Sequence, residues 1–187
     1  MALPKEPRQK MINIMYLVLT AILALNVSNE VIEAFKTVDK SLISSSNNLG
    51  KASDDVYKSL NAKLNDAQYK EQAAKWAPKA EQVKKLSADL NAYIDGLKEE
   101  LKKGSNLSED GSFKEDNLDA STRIFETGKR GDELKKRLDD YKAAVIALDP
   151  EFKQFESTFP VSTEGVVGKE GHKKDFTASY LHMTPTV

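Results

Sequence analysis

Cysteine and histidine, two residue types that often carry out catalysis or bind metal ions, are absent or scarce in this sequence. Cysteine is absent, so the chain has no thiolate nucleophile, no disulfide and no zinc–thiolate site. The two histidines, His172 and His182, lack the spacing that recurs in metal sites. No glycine-rich phosphate loop and no HExxH or GxSxG motif occurs. We therefore expect a protein that is not an enzyme, has no catalytic residues and holds no metal or cofactor.

The charged residues also argue against a nucleic-acid partner. The formal net charge of the chain is −1 at pH 7. The many lysines after Lys51 alternate with carboxylates, a pattern typical of solvated helix faces rather than of a basic binding patch.

One segment near the N-terminus differs sharply from the rest of the chain. Residues Met11 to Asn29 are nineteen positions without a charged side chain. As a helix they would rise roughly 28 Å, close to the hydrocarbon thickness of a bilayer. The sequence therefore predicts a tail over residues 1–10, a transmembrane helix over residues 11–29 and one domain over residues 30–187.

A cleaved signal peptide is the alternative interpretation of this segment. Lys5, Arg8 and Lys10 form a basic stretch before the apolar residues, as in a signal peptide. The apolar stretch is longer than a usual signal-peptide core, however, and the small-x-small cleavage pattern is poor, because Ala21 and Ala24 before Leu25 are three positions apart and not two. Both features favour a retained anchor.

The charges that flank the apolar segment predict its orientation. Lys5, Arg8 and Lys10 precede it, whereas Glu30 and Glu33 follow it. Short basic flanks stay in the cytoplasm. We therefore expect a single-pass membrane protein with a cytoplasmic N-terminus and most of its mass on the far side of that membrane, which in a two-membrane bacterium is the periplasm.

Small and apolar residues follow heptad spacing through the predicted membrane boundary. The series is Ile14, Leu17, Ala21, Ala24, Ser28, Val31, Phe35, Val38 and Leu42. Alternating steps of three and four predict a seam along which two parallel copies pair. Small residues at Ala21, Ala24 and Ser28 would let two backbones approach each other in lipid. The alternative is that Val31 to Leu42 face the core of their own domain, and the sequence leaves both open.

Polar residues share one face of the apolar segment. Asn13, Tyr16 and Thr20 lie at positions i, i+3 and i+7, and a polar face in lipid is costly unless it meets protein or water. We expect this face to contact a partner. Because the segment contains no carboxylate, the titrating group of an ion-driven machine would belong to that partner. Arg8 could pair with such a carboxylate, or it could be an ordinary cytoplasmic flanking charge.

Helical periodicity continues through the rest of the chain. The first helix is expected to break near Asn47–Gly50, where Asn and Gly cluster. A second stretch is expected to begin near Ala67. Apolar residues at helical spacing then predict a helix over Lys79 to Lys103, with Pro78 in its first turn and Gly104 as its stop. Residues 105–121 read as a polar connection.

The last third of the sequence predicts two further helices. One opens at Gly131–Asp132 and ends at Pro150, and a short one runs from Pro150 to about Phe159. A loop follows from Pro160. Since strand propensity is low throughout, the predicted fold is an all-α, up-down helical bundle. Thr184–Pro185 resembles a helix start with two residues after it, which predicts that a longer protein continues.

The N-terminal residues resemble a known family. The segments that carry the resemblance are Pro7–Asn13, Met15–Val18, Leu23–Ser28 and Glu30–Val31. They are similar to the start of the GldM/PorM family, the inner-membrane motor subunits of type IX secretion and bacterial gliding. The resemblance is specific over Pro7 to Phe35 and diffuse beyond.

The resemblance implies a proton-motive-force-driven motor. Two copies of the anchor would sit inside a ring of a GldL/PorL-like multi-copy proton-channel subunit. The membrane carboxylate of that subunit would pair with Arg8, and Tyr16 would lie on the partner-facing surface. The periplasmic part would transmit rotation or conformational work to outer-membrane-associated components, through C-terminal domains that this chain lacks. A passive membrane-anchored scaffold or adaptor and a secreted helical protein remain the alternatives.

Overall fold

The computed structural model describes residues 7–167 and 171–186, except for the side chains of residues 22–29. Five α-helices fill most of this part of the chain. They are α1 (Pro7–Lys63), α2 (Lys70–Gly104), α3 (Leu118–Ser121), α4 (Arg130–Ala147) and α5 (Phe176–Tyr180). A π-helix (Thr122–Thr127) joins α3 to the turn before α4, and a 3-10 helix (Pro150–Thr158) follows α4.

The predicted all-α class is confirmed. Among the described residues, extended pairing is limited to one isolated antiparallel bridge between Val167 and Lys173. The chain divides into two compact units, one with the residues up to Ser46 and one with Asn47–Thr186.

Helix α1 supplies all of the described part of the first unit. Pro7 is its first residue, a position where the missing proline N–H would have no helical partner anyway. The helix continues to Lys63, so the predicted break near Asn47–Gly50 is wrong. One glycine inside a helix costs about 1 kcal/mol, which is too little to end a helix of this length.

The membrane-spanning part of the prediction is not shown by the structure. Among the residues whose side chains are described, no helix contains an apolar stretch long enough to cross a bilayer. The predicted span Met11–Asn29 includes residues 22–29, whose side chains lie outside the described residues.

Helix α2 begins earlier than the sequence predicts. It starts at Lys70, so Pro78 lies inside the helix and not at its first turn. A proline in a helix interior costs about 3 kcal/mol, and side chains on both sides of Pro78 offset that cost by packing on the 3-10 helix. The predicted end at Gly104 is confirmed, since the Ser105 N–H there bonds to the Leu101 and Lys102 carbonyls.

The apolar core of the second unit lies at the C-terminal half of α2. Leu97 packs there with Ile124 and Phe125 of the π-helix. Partly buried residues complete the cluster, namely Tyr93, Leu101, Leu134 and Leu181. The core therefore joins α2, the π-helix, the start of α4 and the residue after α5.

Two glycines permit close approaches around this core. The Gly128 N–H bonds to the Arg123 carbonyl at 2.9 Å and closes the π-helix, where a Cβ on Gly128 would lie 2.6 Å from the Ile124 carbonyl oxygen. Gly131 is buried in the first turn of α4, and a Cβ there would lie 2.3 Å from the Thr177 hydroxyl oxygen. Glycine thus lets α5 pack directly on α4.

Candidate functional site

The first unit presents a run of exposed apolar side chains. Met11, Met15 and Leu17 are about 70% exposed (68%, 72% and 71%), and Leu19 is also exposed. In water such a run is unfavourable, at roughly 25 cal/mol for each Å² of apolar surface. Large contiguous apolar surfaces of this kind mark contacts with protein or membrane.

The apolar stripe predicted as a pairing seam is exposed on the described chain. Val31, Phe35, Val38 and Leu42 are between 47% and 63% exposed, so none of them lies in the core of its own domain. Leu17 and Ala21 are exposed as well, whereas the side chains of Ala24 and Ser28 lie outside the described residues. Whether a second copy covers this stripe stays a prediction.

The positions that flank the seam carry little charge. In a heptad whose core includes Val31 and Phe35, the flanking positions are Ile32 and Asp39 on one side and Ala34 and Ser41 on the other. In a parallel pair these two sides face each other, so Asp39 would meet a neutral residue. Two copies paired along this seam would therefore have no like-charge repulsion between these flanking positions.

The predicted partner-facing residues are all exposed, but they are not equivalent. The Thr20 hydroxyl donates a hydrogen bond of 2.7 Å to the Tyr16 carbonyl one turn earlier. This bond satisfies the polar atom of Thr20 within its own helix. The Asn13 amide and the Tyr16 hydroxyl are then the polar groups that this face offers to a partner.

Arg8 is exposed in the first turn of α1. It lies roughly 12 Å along the helix axis from Tyr16, because each residue rises 1.5 Å. A guanidinium on a flexible stem can reach further along the axis and bind a carboxylate through two parallel hydrogen bonds.

The second unit has an ionic brace between α2 and α4. The Glu133 carboxylate accepts hydrogen bonds from Arg130 at 2.8 Å and from Arg137 at 3.1 Å. Arg130 also pairs with Glu100 of α2 at 3.2 Å. The hydrogen bonds from Arg130 and then Arg137 lower the pKa of Glu133. Burial and the nearby Glu133 raise the pKa of Tyr93. The brace joins two helices and contains no nucleophile next to a base.

A cluster of buried hydroxyls fixes the last described residues. Ser105 bonds to Thr186 at 2.7 Å through their hydroxyl oxygens, and the Thr184 N–H donates to the Ser121 hydroxyl at 3.1 Å. Residues 184–186 are not helical in this arrangement, although Thr184–Pro185 resembles a helix start in sequence.

Among the described residues, neither histidine belongs to a cluster of side chains that could bind a metal ion. His182 contacts the Glu126 carboxylate at 2.5 Å. Across residues 7–167 and 171–186, with the exception noted for 22–29, no three acidic, His or Cys side chains are placed to hold a metal ion.

A comparison with known families gave a match that covers the second unit and residues 30–46 of the first. The family described as the GldM N-terminal domain matches residues 30–187. A comparison with curated proteins gave no match. The match covers most of the sequence and begins where the apolar segment ends. The chain therefore belongs to the GldM family and is a component of the gliding and type IX secretion machinery.

Proposed function

We propose that this chain is a subunit of an inner-membrane motor driven by the proton motive force. It transmits rotation or conformational work across the periplasm to type IX secretion and gliding. The proposal rests chiefly on the exposed seam of α1, where four large apolar residues at heptad spacing lie in solvent with almost no charge beside them. It is a pairing surface that the single chain leaves uncovered.

The anchor is the first part of the proposal. Residues 11–29 cross the inner membrane once, with the N-terminus in the cytoplasm and residues 30–187 in the periplasm. The exposed apolar run from Met11 to Leu19 supports this, because its exposure to water is unfavourable and lipid would bury it. The basic residues before the segment support the orientation.

A homodimer is the second part. Two copies pair in parallel along Leu17, Ala21, Ala24, Ser28, Val31 and Phe35. Within the membrane part the small residues permit close packing, and beyond it Val31 and Phe35 supply hydrophobic association in water.

A multi-copy proton-channel subunit of the GldL/PorL type is the third part. Its membrane carboxylate pairs with Arg8, and its helices contact the Asn13 amide and the Tyr16 hydroxyl. Thr20 contributes less polar contact, because its hydroxyl is bonded to the Tyr16 carbonyl. Two described cations precede the uncharged segment, Arg8 and Lys10, and of the two only Arg8 can bind a carboxylate through two parallel hydrogen bonds.

These residues couple proton flow to movement by simple electrostatics. A carboxylate at the membrane edge attracts the Arg8 guanidinium strongly, because the low dielectric of the surroundings weakens the field little. A proton that neutralises the carboxylate removes the attraction and frees the pair. Release on one partner subunit and capture by the next would turn the ring relative to the dimer. The chain itself performs no enzymatic chemistry in this scheme.

Single-cysteine cross-linking in membranes tests the seam, and the absence of native cysteine makes it clean. We expect oxidation to give a dimer band for Ser28→Cys and Phe35→Cys. Glu33→Cys is the matched control, because position 33 lies on the opposite side of the heptad and should stay monomeric. The full-length band should persist in all variants.

Other outcomes would favour the alternatives. Monomeric bands at both seam positions would contradict pairing and favour a passive anchored scaffold. A shortened chain without its first segment would identify a secreted helical protein with a cleaved signal peptide.

A further inference from the structure

The N-terminal turns of α2 pack separately from the main core of the second unit. Residues 60–78, here called the hairpin tip, comprise the end of α1, the following turn and the first turns of α2. Leu60, Ala73 and Trp76 line a small cavity of about 230 Å³ there. The buried cluster of Leu97, Ile124 and Phe125 lies at the other half of α2. The tip therefore does not share the main core.

Pro78 marks the boundary of the tip within α2. Proline has no N–H, so the Ala74 carbonyl receives no helical hydrogen bond from position 78. Bending a helix costs least where its hydrogen-bond ladder is already interrupted. Beyond Pro78, Lys84 holds α2 to α1 through Asp54 and the Tyr57 ring, at 3.9 Å and 5.1 Å. That contact fixes the helix pair on the core side of the proline.

Long side chains, clustered around the proline, hold the tip to the 3-10 helix. The Trp76 ring packs on Phe152, with 5.9 Å between ring centroids. Lys75 and Lys79 place their ammonium groups 4.9 Å and 4.8 Å from the Trp76 ring centroid. Lys75 also pairs with Glu151 at 3.6 Å.

The strongest of these contacts is the ion pair of Lys79 with Asp149. The Asp149 side chain is only 6% exposed, and it also accepts a hydrogen bond from the Glu151 N–H at 2.9 Å, which caps the 3-10 helix. The hydrogen bond from Lys79 lowers the pKa of Asp149. A buried carboxylate that loses its cation is left with an uncompensated charge, so the pair favours the closed arrangement strongly.

We propose that the hairpin tip is a latched hinge, which pivots at Pro78 and is held closed by Lys79–Asp149 and Trp76–Phe152. When the latch opens, residues 70–77 move as a unit between Pro78 and the turn after α1, while the core around Leu97 stays packed. Regions with few buried apolar contacts open first in this way, below the free energy of global unfolding. The hinge would let the domain bend at Pro78 under load while the rest of its fold stays intact.

Hydrogen exchange on the full chain in detergent tests the hinge. We expect Asp149→Asn to raise exchange of the amides in residues 79–81 at least about tenfold, because their helical hydrogen bonds reach back across Pro78 and open when the hinge bends. Asparagine can still accept the hydrogen bond that caps the 3-10 helix. The amides of residues 93–103 lie in the core half of α2, and their exchange should be unchanged. Lys98→Met, which removes the exposed pair with Asp95 on the same helix, is the control and should change neither region.

Trp76 gives a second readout, since it is the only tryptophan in the chain. Its emission should shift to longer wavelength and become easier to quench with acrylamide in Lys79→Met and in Asp149→Asn. Adding Pro78→Ala to Asp149→Asn should restore slow exchange in residues 79–81, because the ladder is then complete. Equal loss of protection in both regions, or no change in either, would overturn the hinge. So would failure of Pro78→Ala to restore protection.

Discussion

The Arg137 guanidinium lies over the face of the Tyr93 ring, 3.9 Å from its centroid, and so joins α4 to α2. The same guanidinium donates to Glu133, which also accepts from Arg130. A planar cation stacked on a ring and hydrogen-bonded in its own plane satisfies both kinds of contact at once. The α2–α4 interface is thus held by a polar layer beside the apolar core.

Removal of this stack should weaken the fold modestly. We expect Arg137→Ala to lower the free energy of unfolding by about 1 kcal/mol, since exposed cation–π contacts contribute about 0.5–1 kcal/mol and the pair with Glu133 adds a little. Urea unfolding followed by circular dichroism measures it. Lys136→Ala, one residue away and exposed, is the control and should have almost no effect. Equal effects of the two variants would argue against the stack.

Two glycines should respond oppositely to the same substitution. Gly131→Ala places a Cβ 2.3 Å from the Thr177 hydroxyl oxygen, so we expect a loss of about 1–3 kcal/mol in stability. Gly50→Ala adds a Cβ in open space inside α1, and we expect a gain of about 0.5–1 kcal/mol. Thermal unfolding of both variants measures the difference. A stable Gly131→Ala chain would mean that α5 does not pack on α4 as described.

Acid should weaken the contact between α4 and the loop after the 3-10 helix. Hydrogen bonds from Lys135 and Thr163 lower the pKa of Asp139 in the folded chain. The stability that this carboxylate contributes is therefore present above its unfolded pKa of about 3.9 and is lost as pH falls through the lower folded value. We expect urea unfolding to show a smaller drop between pH 6 and pH 3 for Asp139→Asn than for the natural chain. An identical drop in both chains would contradict this.

Local signals in the sequence were enough for several parts of the fold. The end of α2 at Gly104 follows from the glycine and the preceding lysines, and the opening of α4 near Gly131 follows from local helix-start signals. The 3-10 helix after Pro150 has its proline at the first turn and Asp149 as its cap. Such boundaries depend on neighbours within a few residues, so a single sequence can show them.

Other parts depend on contacts between distant residues. Pro78 reads as a helix start because nothing local shows that Trp76 and Lys79 will pack on a helix some seventy residues later. The π-helix requires Gly128 to approach Ile124, and α5 requires Gly131 to admit Thr177. The spacing of apolar residues in the sequence does not predict these close contacts. The continuation of α1 through Gly50 was missed for a simpler reason, since one glycine is a weak breaker inside a long helix.

The candidate site was easier to locate than to interpret. Heptad spacing identified Val31 and Phe35, and their exposure removed the possibility that they face their own core. The sequence predicts that Asn13, Tyr16 and Thr20 share a polar face, and in the structure the Thr20 hydroxyl donates to the Tyr16 carbonyl. Side-chain hydroxyls often bond to the backbone one turn earlier, and sequence alone does not show when they do.

We propose that Arg8 couples a partner's proton-carrying carboxylate to work by this chain. The most direct measurement is gliding speed and secretion in cells that express Arg8→Ala, with recovery of the partner subunit by co-purification as the assembly control. Lys10→Ala is the matched control for loss of one flanking charge. We expect Arg8→Ala to abolish movement and secretion while the complex still assembles. We expect Lys10→Ala to leave movement, secretion and assembly unchanged. Normal movement in Arg8→Ala cells would contradict it.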